Sequence, residues 1–312
     1  MSVHDPKLSL VPIKSIEDHR FSRCLVPPTV LTMTSNDQLV RLGHVELCVE
    51  TFGDPADPGV LLIQGGAASM LWWEAELCRR IAAHGRYVIR YDNRDTGRST
   101  NYPPGRPGYA LSDLARDALG ILDSLDIDRA HVVAQSMSGG IALILGVDHP
   151  TRIASLTFVS TSTGAPGLPP PTWSSSAEPT PAEPDFDNLP AVVDYIVSWA
   201  RREAGDSPYF DEQATRALVE QDVARARNIA STLTNHYAQR FDGPAGGSFG
   251  DITAPTLVIH GDRDPLFPLA HGEALRDAIP GADLLVLEQA GHGVPRPLWD
   301  VFVAALVQHT GR

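Results

Sequence analysis

The alternation of strand-like and helix-like segments limits the fold of this chain more than any other feature of its sequence. Short continuous apolar runs are typical of strands covered on both faces, and they alternate here with segments whose apolar residues recur every three to four positions. The strand-like runs include VLLIQGG, RYVIRYD, RAHVVAQ, IASLTFVST, APTLVIHG and ADLLVLEQ. This pattern predicts an α/β protein with a mostly parallel sheet and helices on both faces.

Two segments interrupt the alternation. Residues 1–37 have weak periodicity, and we predict that they form an N-terminal extension outside the core. After Gly164 the chain becomes rich in proline, serine and acidic residues, and two helical stretches follow, LPAVVDYIVSWARREA and roughly residues 211–241. We therefore expect residues 38–163 and 249–312 to form the core and residues 164–248 to form an inserted cap.

Charge and cysteine content exclude several classes of function. The formal charge of −13 and the pI near 5.2 argue against nucleic acid or an anionic membrane as a partner, because both attract basic surfaces. Cys24, Cys48 and Cys78 are widely spaced and predict neither a disulfide framework nor a metal site. We find no secretory leader and no run of about 20 apolar residues that could span a membrane. The default expectation is a cytoplasmic protein.

Four strand-like runs end in residues that carry chemistry. Ser136 follows VVAQ, Asp264 follows LVIHGDR, His292 follows the last strand, and the QGGA turn that contains Gly66 follows VLLI. Ligands of an open parallel sheet bind beyond the carboxyl ends of its strands. We therefore expect a hydroxyl, a carboxylate, an imidazole and a glycine-rich backbone at the same edge of the sheet.

These groups fit nucleophilic catalysis. A serine hydroxyl becomes a good nucleophile when a base such as His292 takes its proton, and a buried carboxylate holds the imidazole in the required tautomer. Both Asp262 and Asp264 are candidates for that carboxylate. The N–H groups of Gly66 and Met137 are candidate oxyanion donors. The chain order Ser, Asp, His is one known solution to this geometry.

The chain resembles the α/β-hydrolase family from about residue 38 to its end. The resemblance rests on five motifs in order: QGG, YDNRDTGRS, AQSMSGG, HGDRDP and AGHG. It implies a mostly parallel eight-stranded sheet with helices on both faces and a mainly helical cap, and it favours Asp264 over Asp262. The pieces GDPADP, GGAASMLWW and VIRYDNRDTGRST also resemble the anthracycline (aclacinomycin-type) methylesterases.

One departure from the family pattern lies at the sharp turn around Ser136, which we call the elbow. The usual G-x-S-x-G is absent, because Ala134 and Ser138 occupy the glycine positions. The close approach of strand and helix at such a turn requires small side chains, which both residues supply, so we expect a reactive serine. Pocket residues are expected among four aromatic side chains, Trp72, Trp73, Trp199 and Tyr237.

The resemblance implies an esterase that acts on a hydrophobic small molecule, with a methyl ester as one candidate substrate. It implies no metal and no organic cofactor, and the expected partner is the small-molecule ester alone, with the protein a monomer or homodimer. A C–C bond hydrolase or a perhydrolase would use the same three residues, and these chemistries remain alternatives. A hydrolase-like protein that binds a small ligand with little turnover is a third.

Overall fold

The computed structural model of the protein describes residues 37–172 and 180–311. Eight strands of this part of the chain form one sheet: β1 (Gln38–Leu42), β2 (Val45–Phe52), β3 (Gly59–Ile63), β4 (Tyr87–Tyr91), β5 (Ala130–Gln135), β6 (Ile153–Val159), β7 (Thr256–Gly261) and β8 (Asp283–Leu287). Their order is β1-β2-β4-β3-β5-β6-β7-β8, and only the pairs β1/β2 and β2/β4 are antiparallel. The predicted α/β class and mostly parallel eight-stranded sheet are confirmed.

The register of the parallel strands brings the predicted chemical groups to one edge. Ile63 at the end of β3 pairs with Ala134 of β5, and Gly261 at the end of β7 pairs with Leu287 at the end of β8. The turns that follow these strands therefore begin at similar positions along the strand direction, at the carboxyl edge of the sheet. This alignment follows from the buried apolar runs, since β3 and β7 are buried at every position.

Five helices cover the two faces of the sheet: α1 (Ala75–Ala82), α2 (Leu111–Ser124), α3 (Gly139–Asp148), α7 (Ala270–Ala278) and α8 (Trp299–Thr310). The apolar faces of α2, α3 and α7 join one hydrophobic cluster, and those of α1 and α8 join the other. Helix α2 thus buries the apolar stripe that its sequence periodicity predicts.

Three further helices lie between β6 and β7: α4 (Leu189–Ala204), α5 (Glu212–Arg225) and α6 (Ile229–Ala238). We refer to α4, α5 and α6 as the inserted helices. They share a hydrophobic cluster of their own, formed mainly by valines (Val192, Val193, Val197, Val219 and Val223).

The expected single helical stretch over residues 211–241 is wrong, because the chain forms two helices there. The break falls at residues 226–228, where the N–H of Arg227 donates to the carbonyl of Gly97 in the core at 2.8 Å. The Asn228 side chain then accepts from the N–H of Ser231 and caps α6. A tertiary hydrogen bond and a new cap therefore replace the helical continuation.

Residues 1–36 of the predicted N-terminal extension and residues 173–179 of the proline-rich connector lie outside the described residues. In the part of the chain that the structure covers, no helix is long and apolar enough to cross a membrane.

Candidate active site

Ser136 lies on a strained turn at the end of β5. Its φ of +52° falls in the left-handed region that side chains other than glycine rarely adopt. A short 3-10 turn over Ser136–Ser138 leads directly into α3. Such strain concentrates at functional sites, and it holds the serine at the carboxyl edge of the sheet.

Small residues around Ser136 allow this turn without the usual glycines. Ala134 is fully buried in β5, and the Ser138 hydroxyl donates to the carbonyl of Gln64 at 2.5 Å. At Gly139 there is no room for a Cβ, which would collide with the side chain of Thr161. A glycine is therefore required at position 139, one residue later than in G-x-S-x-G. The hydroxyl of Ser138 connects the elbow to the loop after β3 by its hydrogen bond.

Asp264 and His292 meet at the same edge. His292 Nδ1 lies 2.7 Å from Asp264 Oδ2, and the two side chains are 4% and 0% exposed. The other carboxylate oxygen of Asp264 accepts from the backbone N–H groups of Leu266 and Phe267, both at 2.9 Å. These bonds fix the carboxylate, and the imidazole Nδ1–H with it, so that Nε2 is left free to accept a proton.

Asp262 occupies a different place. It is exposed, and its Oδ1 accepts from the N–H of Gln289 at 2.6 Å. It therefore stabilises the loop after β8, while Asp264 alone of the two has a hydrogen bond to His292. The geometry favours Asp264 as the orienting carboxylate.

The charges at this edge perturb one another. Burial acts to lower the pKa of His292, but the charge of Asp264, their hydrogen bond and the charge of Glu203 outweigh it, and the pKa is raised above its usual value. Burial acts in the opposite sense on Asp264, but His292 keeps the pKa of this carboxyl below its ordinary range. The pair therefore favours a carboxylate beside an imidazole that readily takes up a proton.

The predicted oxyanion donors lie side by side. A Cβ built on Gly66 would be 3.5 Å from Met137 Sδ and 3.8 Å from Met137 Cβ. The next residue, Ala67, has φ of +56°, and its N–H donates to His236 Nδ1 at 3.0 Å. His236 Nε2 donates in turn to the carbonyl of Arg94 at 2.8 Å. The loop after β3 that contains the predicted donor Gly66, which we call the oxyanion loop, is thus anchored to α6 by a buried histidine.

His236 is neutral in this position. Its Nδ1 must accept, because the backbone N–H of Ala67 can only donate, and its Nε2 must carry the proton for the carbonyl of Arg94. Burial lowers the pKa of His236 to about 4. Sequence reasoning missed this contact, because 169 residues separate its partners.

The two adjacent tryptophans point to different parts of the molecule. Trp72 packs against the valine cluster of the inserted helices and donates from Nε1 to Asp222 Oδ2 at 2.9 Å. Trp73 is 2% exposed and stacks on Phe302 of α8, with ring centroids 6.1 Å apart. The structure thus corrects the expectation for Trp73, which belongs to the core between α1 and α8.

Aromatic residues of the inserted helices approach the elbow. Tyr237 Cε1 is 3.6 Å from the Cβ position of Gly66, and nearly half of the Tyr237 residue is exposed. On α4, Trp199 packs edge-on against Tyr195, with centroids 6.3 Å apart. Tyr237 therefore lies over the oxyanion loop, and Trp199 lies within an aromatic pair of α4.

The backbone of Glu203 contacts the candidate site, and sequence reasoning missed this contact. The N–H of His292 donates to the Glu203 carbonyl at 2.8 Å, so the last turn of α4 contacts the histidine loop directly. Glu203 follows Tyr195 and Trp199 at four-residue spacing, which places all three on one helix face. That stripe was the only sequence pattern that could have pointed to it.

The described residues contain no cluster of three or more histidine, cysteine, aspartate or glutamate side chains that could hold a metal ion.

Comparison with known proteins agrees with this architecture. A family model described as α/β hydrolase fold matches residues 58–295. Rhodomycin D methylesterase of Streptomyces sp. (strain C5) is 32% identical over 88% of the chain and 97% of its own length. A 2-hydroxy-6-oxononadienedioate/2-hydroxy-6-oxononatrienedioate hydrolase of Paraburkholderia xenovorans (strain LB400) is 28% identical over 85% and 91%. The crystal structure of a hydrolase from Pseudomonas aeruginosa PA01 superposes with a TM-score of 0.68, at 23% identity over 89% of this chain and all of that one.

Proposed function

Since the chain belongs to the α/β-hydrolase fold family, we propose that it is a serine hydrolase that cleaves a carboxylic ester of a hydrophobic small molecule. The observation that carries the proposal is the 2.7 Å contact between His292 Nδ1 and Asp264 Oδ2 at the edge where Ser136 occupies a strained turn. A nucleophile, a base and an orienting carboxylate are the parts that this chemistry needs.

The mechanism follows from these roles. Ser136 Oγ attacks the ester carbonyl while His292 Nε2 takes its proton. The N–H groups of Gly66 and Met137 stabilise the oxyanion of the tetrahedral intermediate. His292 then protonates the leaving alkoxide, which yields an acyl-enzyme. A water molecule, deprotonated by His292, attacks the acyl carbon and releases the acid. Throughout these steps Asp264 accepts from Nδ1–H and stabilises the imidazolium.

The inserted segment, residues 164–248, acts in this proposal as a cap that shapes the substrate pocket. Tyr237 over the oxyanion loop supports this role, as does the aromatic pair of Tyr195 and Trp199 on α4. Aromatic walls suit a hydrophobic substrate. The similarity to a protein named for methylester cleavage favours a methyl ester as the substrate.

The experiment combines turnover with covalent labelling. Wild-type protein and the Ser136→Ala variant are assayed with p-nitrophenyl esters of increasing acyl length and with methyl esters of aromatic acids. Both proteins are also treated with a fluorophosphonate, and their intact masses are measured. We expect turnover and one added phosphonyl group in the wild type and a loss of both in Ser136→Ala. The kcat of the variant should be about 10⁴-fold or more below that of the wild type.

Ser124→Ala is the matched control, because Ser124 lies on α2 and its hydroxyl bonds only within that helix. It should keep the wild-type rate. A folded wild-type protein that neither turns over an ester nor takes the label would contradict the proposal and favour a hydrolase-like binding protein.

A C–C bond hydrolase is a second candidate, because a relative named for 2-hydroxy-6-oxononadienedioate hydrolysis is similar over 277 residues. It would use the same Ser136 and His292 on a vinylogous ketone. Comparison of kcat/KM for a 2-hydroxy-6-oxodienoate and for the best methyl ester separates the two activities, and we expect the ester to be preferred.

A further inference from the structure

A second histidine lies beside the candidate pair of Asp264 and His292. His260 is fully buried near the end of β7, and its Nε2 lies 2.7 Å from the carbonyl oxygen of Phe267. Because a carbonyl can only accept, Nε2 carries a proton and is the donor of this hydrogen bond. The same Nε2 lies 3.6 Å from Asp264 Oδ2. His260 therefore directs a polarised N–H at the turn that carries the proposed orienting carboxylate.

Phe267 connects this histidine to both members of the pair. Its N–H donates to Asp264 Oδ1 at 2.9 Å, and its carbonyl accepts from His260. Its ring packs edge-on against the imidazole of His292, with centroids 5.7 Å apart. A displacement of Phe267 would therefore disturb the carboxylate and the catalytic imidazole together, and the bond from His260 opposes such a displacement.

The surroundings of His260 favour its neutral form. Within the part of the chain that the structure describes, its Nδ1 is buried and has no hydrogen-bond partner. The backbone of α7 packs on this side of the ring, since a Cβ on Gly272 would lie 2.9 Å from Nδ1. A second proton would therefore be a buried donor without an acceptor, which is costly. Burial lowers the pKa of His260, although the nearby charge of Asp264 opposes it. The other titratable groups that face it, His292 from the loop after β8 and His271 from α7, also act to lower this pKa.

A neutral imidazole suits this place better than a cation would. Asp264 has to remain ionised in order to stabilise the imidazolium of His292. A full positive charge 3.6 Å from Asp264 Oδ2 would compete with His292 for the carboxylate and would disfavour uptake of the proton from Ser136. The N–H of a neutral ring fixes the turn without adding this charge.

We infer that His260 is a positioning residue of the proposed reaction, whose neutral imidazole holds Phe267 in place. Through Phe267 it keeps the carboxylate of Asp264 and the imidazole of His292 in the geometry that proton transfer requires. The inference rests on the proposed ester hydrolysis and adds a further side chain on which that reaction depends. Because His260 is fully buried, it acts through these residues and not by contact with the substrate.

The test compares two replacements of His260. Leucine removes the donor to the carbonyl of Phe267, whereas the amide nitrogen of glutamine can take the place of the histidine Nε2 and donate in its stead. With a p-nitrophenyl ester we expect kcat to fall about 10- to 100-fold in His260→Leu with little change in KM, because a misplaced base slows proton transfer without altering substrate contacts. His260→Gln should restore most of the wild-type kcat.

The pH dependence of kcat is a readout that a mere loss of stability would not change. Burial acts to lower the pKa of His292, but the charge of Asp264 and their hydrogen bond raise it. Base catalysis is lost as the pH falls through this raised pKa. A weakened bond to Asp264 in His260→Leu should therefore move the acid limb of the kcat profile to lower pH, while His260→Gln should keep the wild-type profile.

His309→Leu is the matched control. His309 is also buried and its Nε2 donates to a backbone carbonyl, that of Leu156 at 3.0 Å, but it lies on α8 and bonds to the interior of β6. Its replacement should lower the free energy of unfolding in urea titrations and leave kcat and its pH dependence at the wild-type values. A wild-type kcat in folded His260→Leu, or equal losses of kcat in the two leucine variants, would overturn the positioning role.

A measurement on the wild type does not depend on whether the leucine variant folds. In protein labelled with ¹⁵N-histidine, the ring nitrogen shifts distinguish the two tautomers and the cation, and His260→Gln assigns the signals of His260. We expect the neutral Nε2–H tautomer at every pH at which the protein is active. A cation in this range, or a proton on Nδ1, would overturn the inference. Absence of ester turnover in a wild type that shows the expected tautomer would instead overturn the proposed function.

Discussion

The carboxyl edge of the sheet and the inserted helices both bury charged and polar groups, but they stabilise them differently. At the edge, Asp264 and His292 follow two neighbouring strands, and the sheet register alone brings them together. In the inserted helices, polar groups bond to core residues far away in sequence. Arg225 reaches Asp92 across 133 residues, and His236 reaches Ala67 across 169.

This difference separates two tasks. The pair at the edge has shifted pKa values and leaves one imidazole nitrogen free, as proton transfer requires. Arg225 and His236 of the inserted helices are paired with core groups, and they hold the loops after β3 and β4 against α5 and α6. We infer that the edge performs the chemistry and that the paired groups maintain its geometry.

The largest effect should come from the edge. Asp264→Asn removes the acceptor that fixes the Nδ1–H tautomer of His292, so we expect kcat to fall about 10³- to 10⁴-fold while the fold is retained. Asp262→Asn is the matched control, because among the described residues the Asp262 side chain accepts only from the N–H of Gln289, and the asparagine oxygen can still accept this bond. Steady-state kinetics with a p-nitrophenyl ester and circular dichroism check both. A larger loss in Asp262→Asn would contradict our assignment.

The sequence predicted the edge well for a physical reason. Buried parallel strands are continuous apolar runs, so their ends, and hence Ser136, Asp264 and His292, can be located from the residues alone. The choice between Asp262 and Asp264 could not be derived in this way. It depends on which carboxylate meets the imidazole, and both lie in the same short turn.

The inserted helices were less predictable, because tertiary contacts decide their structure. The break between α5 and α6 depends on the bond from Arg227 to Gly97, which no local pattern reveals. Trp72 and Trp73 are identical neighbours in sequence, yet a 3-10 turn directs one toward the inserted helices and the other into the core. Glu203 matters only because the end of α4 meets the histidine loop.

The second-largest effect that we expect is on stability, and it tests whether the paired groups of the inserted helices stabilise the fold. Arg225 Nη1 lies 2.9 Å from Asp92 Oδ1, and these side chains are 9% and 0% exposed. Arg225→Met would leave a buried carboxylate without its cation, so we expect the free energy of unfolding to fall by about 3–5 kcal/mol in urea titrations. Arg216→Met breaks an exposed pair with Asp194 and should cost about 1 kcal/mol or less. Equal decreases in the free energy of unfolding of the two variants would mean that Arg225 does not stabilise the buried carboxylate of Asp92.

The smallest effect that we expect distinguishes two roles of a buried histidine, the positioning of the oxyanion loop and the stabilisation of the fold as a whole. Burial lowers the pKa of His236 in α6 and of His131 in β5 to about 4. The unfolded chain takes up protons near pH 6.5 that the folded chain resists, so both residues should reduce stability as the pH falls from about 6.5 to 4. Replacement of either by Gln should flatten this part of the stability curve in urea titrations.

Activity distinguishes the two replacements. His236 holds Ala67, the neighbour of the proposed oxyanion donor Gly66, whereas His131 bonds to Ser155 within the sheet. We therefore expect kcat at pH 8 to fall about tenfold in His236→Gln, since a loosened oxyanion loop costs less than the loss of a donor. It should stay near the wild-type value in His131→Gln. Equal kcat values in the two variants would mean that the inserted helices stabilise the fold without positioning the oxyanion loop.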